Sequence, residues 1–296
     1  RNDNCIIICS IENIDPMGVH TGDSFCAAPM LTVSRRLQER MQEYSYKIVE
    51  AIGVVGGTNI QFAHNPEDDR LVIIEINPRT SRSSALASKA TGFPIARIST
   101  KLAAGLSMDE IPYWRKGTLE KYEPWGDYVV IKFARWAFEK FSKAKDLLGT
   151  QMKAVGEVMS IGKNFKEAFQ KSIRSLEINR YGLGVKALQR MPIEVLKGRL
   201  SMPSSERIFL VYEALRRGVS VEDIYKVTRI HRWFITEIKE LVDFEVAMVN
   251  HAWKALPSDM LCQAKEWGFS DRYLASLFQV AESEVRLEGA EPFLKT

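Results

Sequence analysis

The chain has 296 residues, 46% of them hydrophobic and 26% charged, with a formal net charge of +4. That balance suits one large or two medium folded domains and lacks the basic excess of a nucleic-acid binder or an acidic tail. No apolar run approaches the roughly 18 residues that span a bilayer, and no signal peptide is visible. The four cysteines, Cys5, Cys9, Cys26 and Cys262, form no CxxC pair, so the expected setting is cytoplasmic, with reduced thiols and no membrane partner. The opening Arg1-Asn2-Asp3-Asn4 lacks a methionine and stands close to an apolar run, which reads as a cut inside a larger protein.

Residues up to about 177 mix strand and helix signals. Cys5 to Ile11 is a short β-branched run that ends in polar Glu12-Asn13. Leu37, Met41, Tyr44 and Ile48 recur at helical spacing, and Gly53 follows as a stop, so 37–52 is a predicted helix. Asn59 to His64 and Leu71 to Asn77 read as two strands around the turn-forming Asn65-Pro66-Glu67-Asp68-Asp69. Helices are expected over 84–90 and 95–104, broken by Gly92-Phe93-Pro94, then a strand over 128–133 and a helix over 165–176. From about 178 the strand runs vanish and short capped helices follow one another. Ser204 precedes a helix through Leu215 that stops at Gly218, with Ile208, Val211 and Leu215 on an apolar face; Ser220 starts another; 231–248 is long and amphipathic, with Phe234, Ile238 and Leu241 on its apolar face. Gly218-Val219-Ser220 followed by Ile224, Val227 and Ile230 is echoed by Gly268-Phe269-Ser270 followed by Leu274, Leu277 and Val280, a weak internal repeat. The expected architecture is α+β, a mostly antiparallel sheet with helices over 1–177, followed by an all-α domain over 178–296.

The chemistry concentrates in Glu75-Ile76-Asn77-Pro78-Arg79-Thr80-Ser81-Arg82-Ser83-Ser84. Alternate residues of a strand share a face, so Glu75 and Asn77 point one way, with Leu71 and Ile73 paired likewise. If the hairpin closes near Asp68, Gln61 lies opposite Glu75 and Asn59 opposite Asn77, close enough to share a ligand. Gln61, Glu75 and Asn77 then offer oxygen donors of the kind a hard cation such as Mg2+ prefers, with nucleotide phosphates completing its shell. Arg79 and Arg82 follow in the loop, and guanidiniums hold carboxylate or phosphate oxygens through paired hydrogen bonds. Taken singly, each residue also suits a polar strand end or a helix cap, for which Ser81, Ser83 and Ser84 are candidates. The combination, with two arginines, asks for more than a cap.

At these residues the chain resembles the ATP-grasp family, and within it the large subunit of carbamoyl phosphate synthetase. The resemblance runs through Cys9-Ser10-Ile11-Glu12-Asn13, Met17-Gly18-Val19-His20-Thr21-Gly22-Asp23-Ser24, Asn59-Ile60-Gln61-Phe62-Ala63, Glu75-Ile76-Asn77-Pro78-Arg79, Ser88-Lys89-Ala90-Thr91-Gly92, Gln151-Met152-Lys153 and Gly156-Glu157-Val158-Met159. It covers nearly all of 1–177. The Ser81-Arg82-Ser83-Ser84-Ala85-Leu86 run and the helical tail resemble the first, carboxyphosphate-forming half, which is followed by the family's oligomerisation domain.

The resemblance implies an ATP-dependent ligase whose cofactors are ATP, Mg2+ or Mn2+, and K+. Gln61, Glu75 and Asn77 would hold the divalent ion against the ATP phosphates. Gly18, Val19 and His20 would contact the nucleotide. Arg79 and Arg82 would bind bicarbonate and stabilise charge as the γ-phosphoryl moves. Asn13, Asp15, Glu75 and Ser83 match positions that bind K+. The implied partners are a glutaminase small subunit for the full-length protein and further copies through the helical domain. His20 is equally readable as a hydrogen-bonded loop residue; His64, His231 and His251 read as structural, and Lys89 as solvated or capping. The family's glycine-rich lid lies upstream of Arg1, so the 296-residue chain alone is expected not to turn over ATP.

Three other readings compete. A biotin-carboxylase-like enzyme shares the Glu-x-Asn-x-Arg pattern, but the Ser81–Ser84 run and helical tail argue against it. A purely structural oligomerisation module would leave the half-site inert, with Trp233, Trp253 and Trp267 as interface anchors or core residues. Gly268 to Leu287 resembles a helix-turn-helix, but Glu282, Glu284 and Glu288 against Arg286 would repel nucleic-acid phosphate.

Overall fold

The computed structural model describes residues 5–113, 117–122, 124, 126–141 and 143–294. In chain order its regular elements begin with β1 (Glu12–Asn13), β2 (Cys26–Ala28), α1 (Arg35–Ile52), β3 (Asn59–Asn65), β4 (Arg70–Asn77), α2 (Arg82–Thr91) and α3 (Ile95–Ala103). They continue with β5 (Val129–Arg135), β6 (Gly156–Gly162), α4 (Phe165–Ser175), α5 (Lys186–Gln189), α6 (Ile193–Leu200), α7 (Arg207–Arg216) and α8 (Val221–Thr228). The last four are α9 (Arg232–Val249), α10 (Ser258–Glu266), α11 (Asp271–Phe278) and α12 (Glu282–Leu294). The described part is thus antiparallel sheet with helices first, then a helical region from α4 onward. It divides into two compact units, residues 1–12 with 28–127, and residues 13–27 with 128–296.

In the first unit the β3–β4 hairpin is a two-stranded antiparallel sheet. Its turn is built by short polar side chains: Asn65 Oδ1 accepts from the Glu67 N–H at 3.1 Å and Asp68 Oδ1 from the Arg70 N–H at 3.1 Å. Asp69 then binds Arg40 of α1 at 2.7 Å and His64 at 2.9 Å, tying the hairpin tip to α1. Helix α1 begins at Arg35 after the Ser34 cap, two residues ahead of the predicted start, and ends on left-handed Gly53, the predicted stop. Cys5 to Ile11 joins no ladder among the described residues; Ile6 and Ile8 instead pack on a cluster of Phe93, Ile98, Met108, Ile111, Leu119 and Tyr122. The Tyr122 hydroxyl donates to the Ile8 carbonyl at 3.3 Å.

One expectation for the hairpin changes in detail. The register shifts between Gln61 and Phe62, so Ile74 is an extra residue bulged out of β4. Ile73 and Ile74 are both half-exposed, at 50% and 51%; alternation holds within Arg70–Ile73 and within Glu75–Asn77, and its phase changes at the bulge between them.

The second unit carries the sheet of order β1-β2-β5-β6, with β5 and β6 antiparallel and α4 packed across them. Strand β6 was not apparent in the sequence, where its residues carried only a motif. Phe25, Phe133 and Phe169 stack between sheet and α4 at centroid distances of 5.3 and 5.6 Å, and Phe165 meets Phe234 of α9 at 5.4 Å. Helix α7 is buried from Arg207 to Leu215, so Ile208, Val211 and Leu215 belong to a core helix buried on all sides, its two buried charges, Arg207 and Glu213, ion-paired. Ser204 does not cap it: the cap position is Glu206, and the Ser204 hydroxyl is buried without a hydrogen-bond partner among the described residues.

The internal repeat is real in three dimensions. Gly218 and Gly268 both adopt positive φ, at 81° and 87°, and Ser220 and Ser270 both accept the N–H three residues on. Both ensuing helices have 8 residues and end on a left-handed residue, Arg229 or Gln279. Trp253 is buried in the core, while Trp233, packed on Phe165 and Phe234, and Trp267, beside Phe244 with the Lys166 ammonium over its ring, are partly exposed.

Candidate functional site

In the first unit Asn59 pairs with Asn77 and Gln61 with Glu75, the register that the turn signals predict. All four side chains therefore share one face of the hairpin. Gln61 Nε2 donates to Glu75 Oε1 at 2.7 Å, and Asn77 Nδ2 donates to the same oxygen at 2.9 Å. Arg79 Nη2 donates to Asn77 Oδ1 at 3.2 Å and its Nη1 to the Thr80 carbonyl at 3.1 Å. One carboxylate, two amides and a guanidinium thus form a continuous chain of contacts ending at an exposed arginine.

The hairpin is held from below. Gly56 and Gly57 approach Ser99 of α3 so closely that a Cβ on Gly57 would lie 2.5 Å from the Ser99 hydroxyl. The Thr58 hydroxyl donates to the Asn77 carbonyl at 3.0 Å. The arginine loop is closed by a capping box: Ser81 Oγ accepts from the Ser84 N–H at 3.2 Å, and Ser84 Oγ accepts from the Ser81 N–H at 3.1 Å. Of the three candidate caps, Ser81 is the N-cap; Ser83 joins it through a 2.7 Å hydroxyl contact. Arg82, first residue of α2, is exposed.

The donor set fits a hard divalent cation. Its atoms are oxygens or amides that turn over to present oxygen, and Asn59 Oδ1, on the same face, is a buried acceptor with no hydrogen-bond partner among the described residues. With a single carboxylate, such an ion would need phosphate oxygens for the rest of its charge. Among the described residues no cluster of three His, Cys, Asp or Glu side chains exists, so carboxylate-rich metal centres of other kinds are not formed.

Gly18, Val19 and His20 lie in the second unit, in a loop closed by its own backbone. The Asp23 and Ser24 N–H groups donate to the His20 carbonyl at 2.8 and 3.0 Å, and His20 Nδ1 accepts from the Gly22 N–H at 2.9 Å. His20 therefore has a loop-closing duty whatever else it touches. Lys132 of β5, 4% exposed, donates to the carbonyls of Thr21, Gly22 and Ser24 at 3.1, 3.2 and 2.6 Å. Asp23, fully buried, accepts from Trp136 Nε1 at 3.1 Å and from the Lys153 and Ala154 N–H groups at 2.8 and 2.6 Å. A Cβ on Gly22 would collide with Met152 Sδ at 2.5 Å, so the Gln151-Met152-Lys153 motif is the clamp of this loop.

Asp15 is bound to Arg207 at 3.1 Å, with side chains 10% and 7% exposed. Burial pushes the Asp15 carboxyl up and the Arg207 guanidinium down, each partly offset by the other's charge. Of the four residues implied for K+, Asn13 and Asp15 belong to this unit and Glu75 and Ser83 to the first. Sequence reasoning missed Lys132, Asp23 and Arg207. A lone lysine inside Val-Val-Ile-Lys-Phe-Ala was the available sign for Lys132; the pairing of Asp15 with Arg207, 192 residues apart, left none.

Comparison with known proteins decides the family. Residues 1–111 match the model of the carbamoyl-phosphate synthase L chain ATP binding domain, and residues 157–290 match that of the carbamoyl-phosphate synthetase large chain oligomerisation domain. The chain belongs to the carbamoyl phosphate synthase large-chain family. It is 52% identical over 291 residues to the carbamoyl phosphate synthase large chain of Archaeoglobus fulgidus, covering 96% of this chain and 27% of that one. It is 48% identical over 289 residues to the chloroplastic arginine-specific large chain of Oryza sativa, covering 96% of this chain and 25% of that one. With the large chain N-terminal section of Aquifex aeolicus it shares 47% identity over 301 residues, covering all of this chain and 54% of that one. The chain thus spans about a quarter of the full-length large chains it matches and carries part of the ATP-binding domain together with the oligomerisation domain.

Proposed function

We propose that the β3–β4 hairpin and the arginine loop are the metal- and anion-binding wall of the site at which a carbamoyl phosphate synthase large chain phosphorylates bicarbonate with ATP, forming carboxyphosphate. The observation that carries this reading is the chain of contacts Gln61–Glu75–Asn77–Arg79 on one strand face. Assignment to the first half of the large chain is supported by the likeness to the Aquifex aeolicus N-terminal section and by the helical unit that follows.

Gln61, Glu75 and Asn77 would hold Mg2+ or Mn2+, which when bound neutralises the ATP phosphates. Arg79 and Arg82 hold bicarbonate by paired hydrogen bonds and take up charge as a bicarbonate oxygen bonds to the γ-phosphorus and ADP leaves. Glu75 orients both amides, and the capping box keeps Arg79 and Arg82 on one short, stiff turn. The Gly18–His20 loop contacts the nucleotide, with Lys132 and Asp23 holding its shape. The K+ role of Asn13, Asp15, Glu75 and Ser83 rests on the family resemblance. The remaining roles follow from it too: ammonia from a glutaminase small subunit, association of copies through the helical unit, and a reducing compartment. The plant relatives named chloroplastic extend the choice of compartment to the plastid.

Mn2+ binding by the 296-residue chain, followed by electron paramagnetic resonance with and without ADP, tests the site. Wild-type protein should bind Mn2+ more tightly with nucleotide present, and Glu75→Ala should weaken it by at least about tenfold, since it removes the set's only carboxylate. Unaltered Mn2+ binding by Glu75→Ala would remove the hairpin from the reading.

A further inference from the structure

Within the second unit, away from the hairpin, a cleft of about 550 Å3 opens beside the C-terminal turn of α4. Its walls are Lys171 and Arg174 of α4, Tyr181, Lys265 of α10, and Gly268 to Arg272 where α11 begins, with Glu282 of α12 at its rim. The volume is in the range of small-molecule sites.

The charges in this cleft do not cancel. Lys171 is matched by Glu167 at 2.5 Å, and Lys265 pairs with Asp271. Both acidic groups of the cleft are already engaged: Asp271 also faces Arg286 at 3.7 Å, and Glu282 accepts from Arg286 at 2.9 Å. Two guanidiniums are left over. Arg174, half-buried, donates to the Gly268 carbonyl at a long 3.4 Å. Arg272 lies over the Tyr181 ring, its Cζ 3.9 Å from the centroid. Neither has a carboxylate within ion-pair distance among the described residues. Burial holds Arg174 below the ordinary guanidinium range. Burial first, then the charges of Arg174 and Arg286, hold Lys265 below that of lysine. Desolvated cations that repel one another are stabilised by an anion among them. A forked guanidinium suits a phosphoryl group, and Tyr181 and Phe269 add ring surface that inorganic phosphate alone would not use.

We propose that this cleft binds the phosphoryl group of a small phosphorylated metabolite, with Arg174 and Arg272 as its ligands and Lys265 as the charge behind them. The site is independent of the metal-binding hairpin, so either assignment stands or falls without the other.

Calorimetric titration of the 296-residue chain with inorganic phosphate, ribose 5-phosphate and unphosphorylated ribose, in low salt, tests this. Saturable binding of ribose 5-phosphate with ribose silent supports it; tighter binding than inorganic phosphate assigns an organic phosphate, and equal binding assigns the phosphoryl group alone. Arg272→Gln, at an exposed position, and Arg174→Gln should each weaken binding about tenfold or more, with unchanged circular dichroism. No saturable signal up to about 10 mM of either phosphate, or binding untouched by both substitutions, overturns the proposal. So does a result in which the substitutions weaken only self-association by light scattering, since the arginines would then meet a second copy of the chain.

Discussion

The carboxylate of Glu245, buried in α9, depends on two phenols, and removing one of them gives a measurable test of the helical core. Tyr273 Oη donates to Glu245 Oε2 at 2.9 Å and accepts from the Gly184 N–H at 3.0 Å, while Tyr212 Oη donates to Glu245 Oε1. Tyr273→Phe deletes a hydrogen bond to a buried charge, about 1.5–3 kcal/mol, and orphans an amide N–H, about 1–3 kcal/mol. Allowing for relaxation, the expected loss is about 3 kcal/mol, read as a lower urea midpoint with unchanged slope. Burial pushes the Glu245 carboxyl above the ordinary range; Tyr212, Tyr273 and Arg216 pull it back and Glu213 opposes them. A raised native value means that this group's contribution to stability improves as pH falls through that value, because protonation relieves the buried charge. Tyr273→Phe raises the value further, so its penalty is largest at neutral pH and shrinks on acidification. Glu245→Gln removes the titration, and its stability relative to wild type should be best at high pH. A loss below about 1 kcal/mol, or one that grows on acidification, would refute this account.

The two copies of the repeat differ in what their glycines meet. A Cβ on Gly268 would lie 2.9 Å from the Glu167 carbonyl oxygen, whereas one on Gly218 meets nothing within 4 Å. Gly218→Ala should cost about 1–2 kcal/mol from its left-handed backbone alone, and Gly268→Ala distinctly more, as ranked by thermal unfolding. Lys132→Met keeps the volume but strips three carbonyls of their donor; a loss of about 2–4 kcal/mol is expected. Hydrogen exchange should then rise at Asp23 and Ser24, and an unchanged exchange pattern would mean the loop closes without the lysine.

The hairpin was legible because two independent signals agreed: a turn made of Asn, Pro and Asp, and oxygen-bearing side chains spaced by two on either side of it. The bulge at Ile74 was not legible, since an extra residue leaves the apolar run Val72-Ile73-Ile74 looking like uninterrupted strand. The helical repeat was readable through its caps, which are local. Ser204 misled for the same reason: a serine before an apolar run signals a cap, yet here Ser205 and Asp146 take the polar contacts through a 2.6 Å hydrogen bond. The supports of the Gly18–His20 loop were hidden because Lys132, Met152 and Lys153 reach it only after β5 and the segment beyond have folded over it. Arg207 looked like an ordinary helix residue until Asp15 came beside it.

Lys132 has a wider consequence. Its ammonium is the hub on which the turn from Thr21 to Ser24 hangs, and it projects from a strand whose pairing with β6 is continuous from Val129 to Arg135. A slip of that ladder by one position would send the lysine to the opposite side of the sheet. The loop would then lose its hub in one step. A segment with almost no ladder of its own thereby inherits the accuracy of a β-sheet, and a loop can be irregular in shape without being loose.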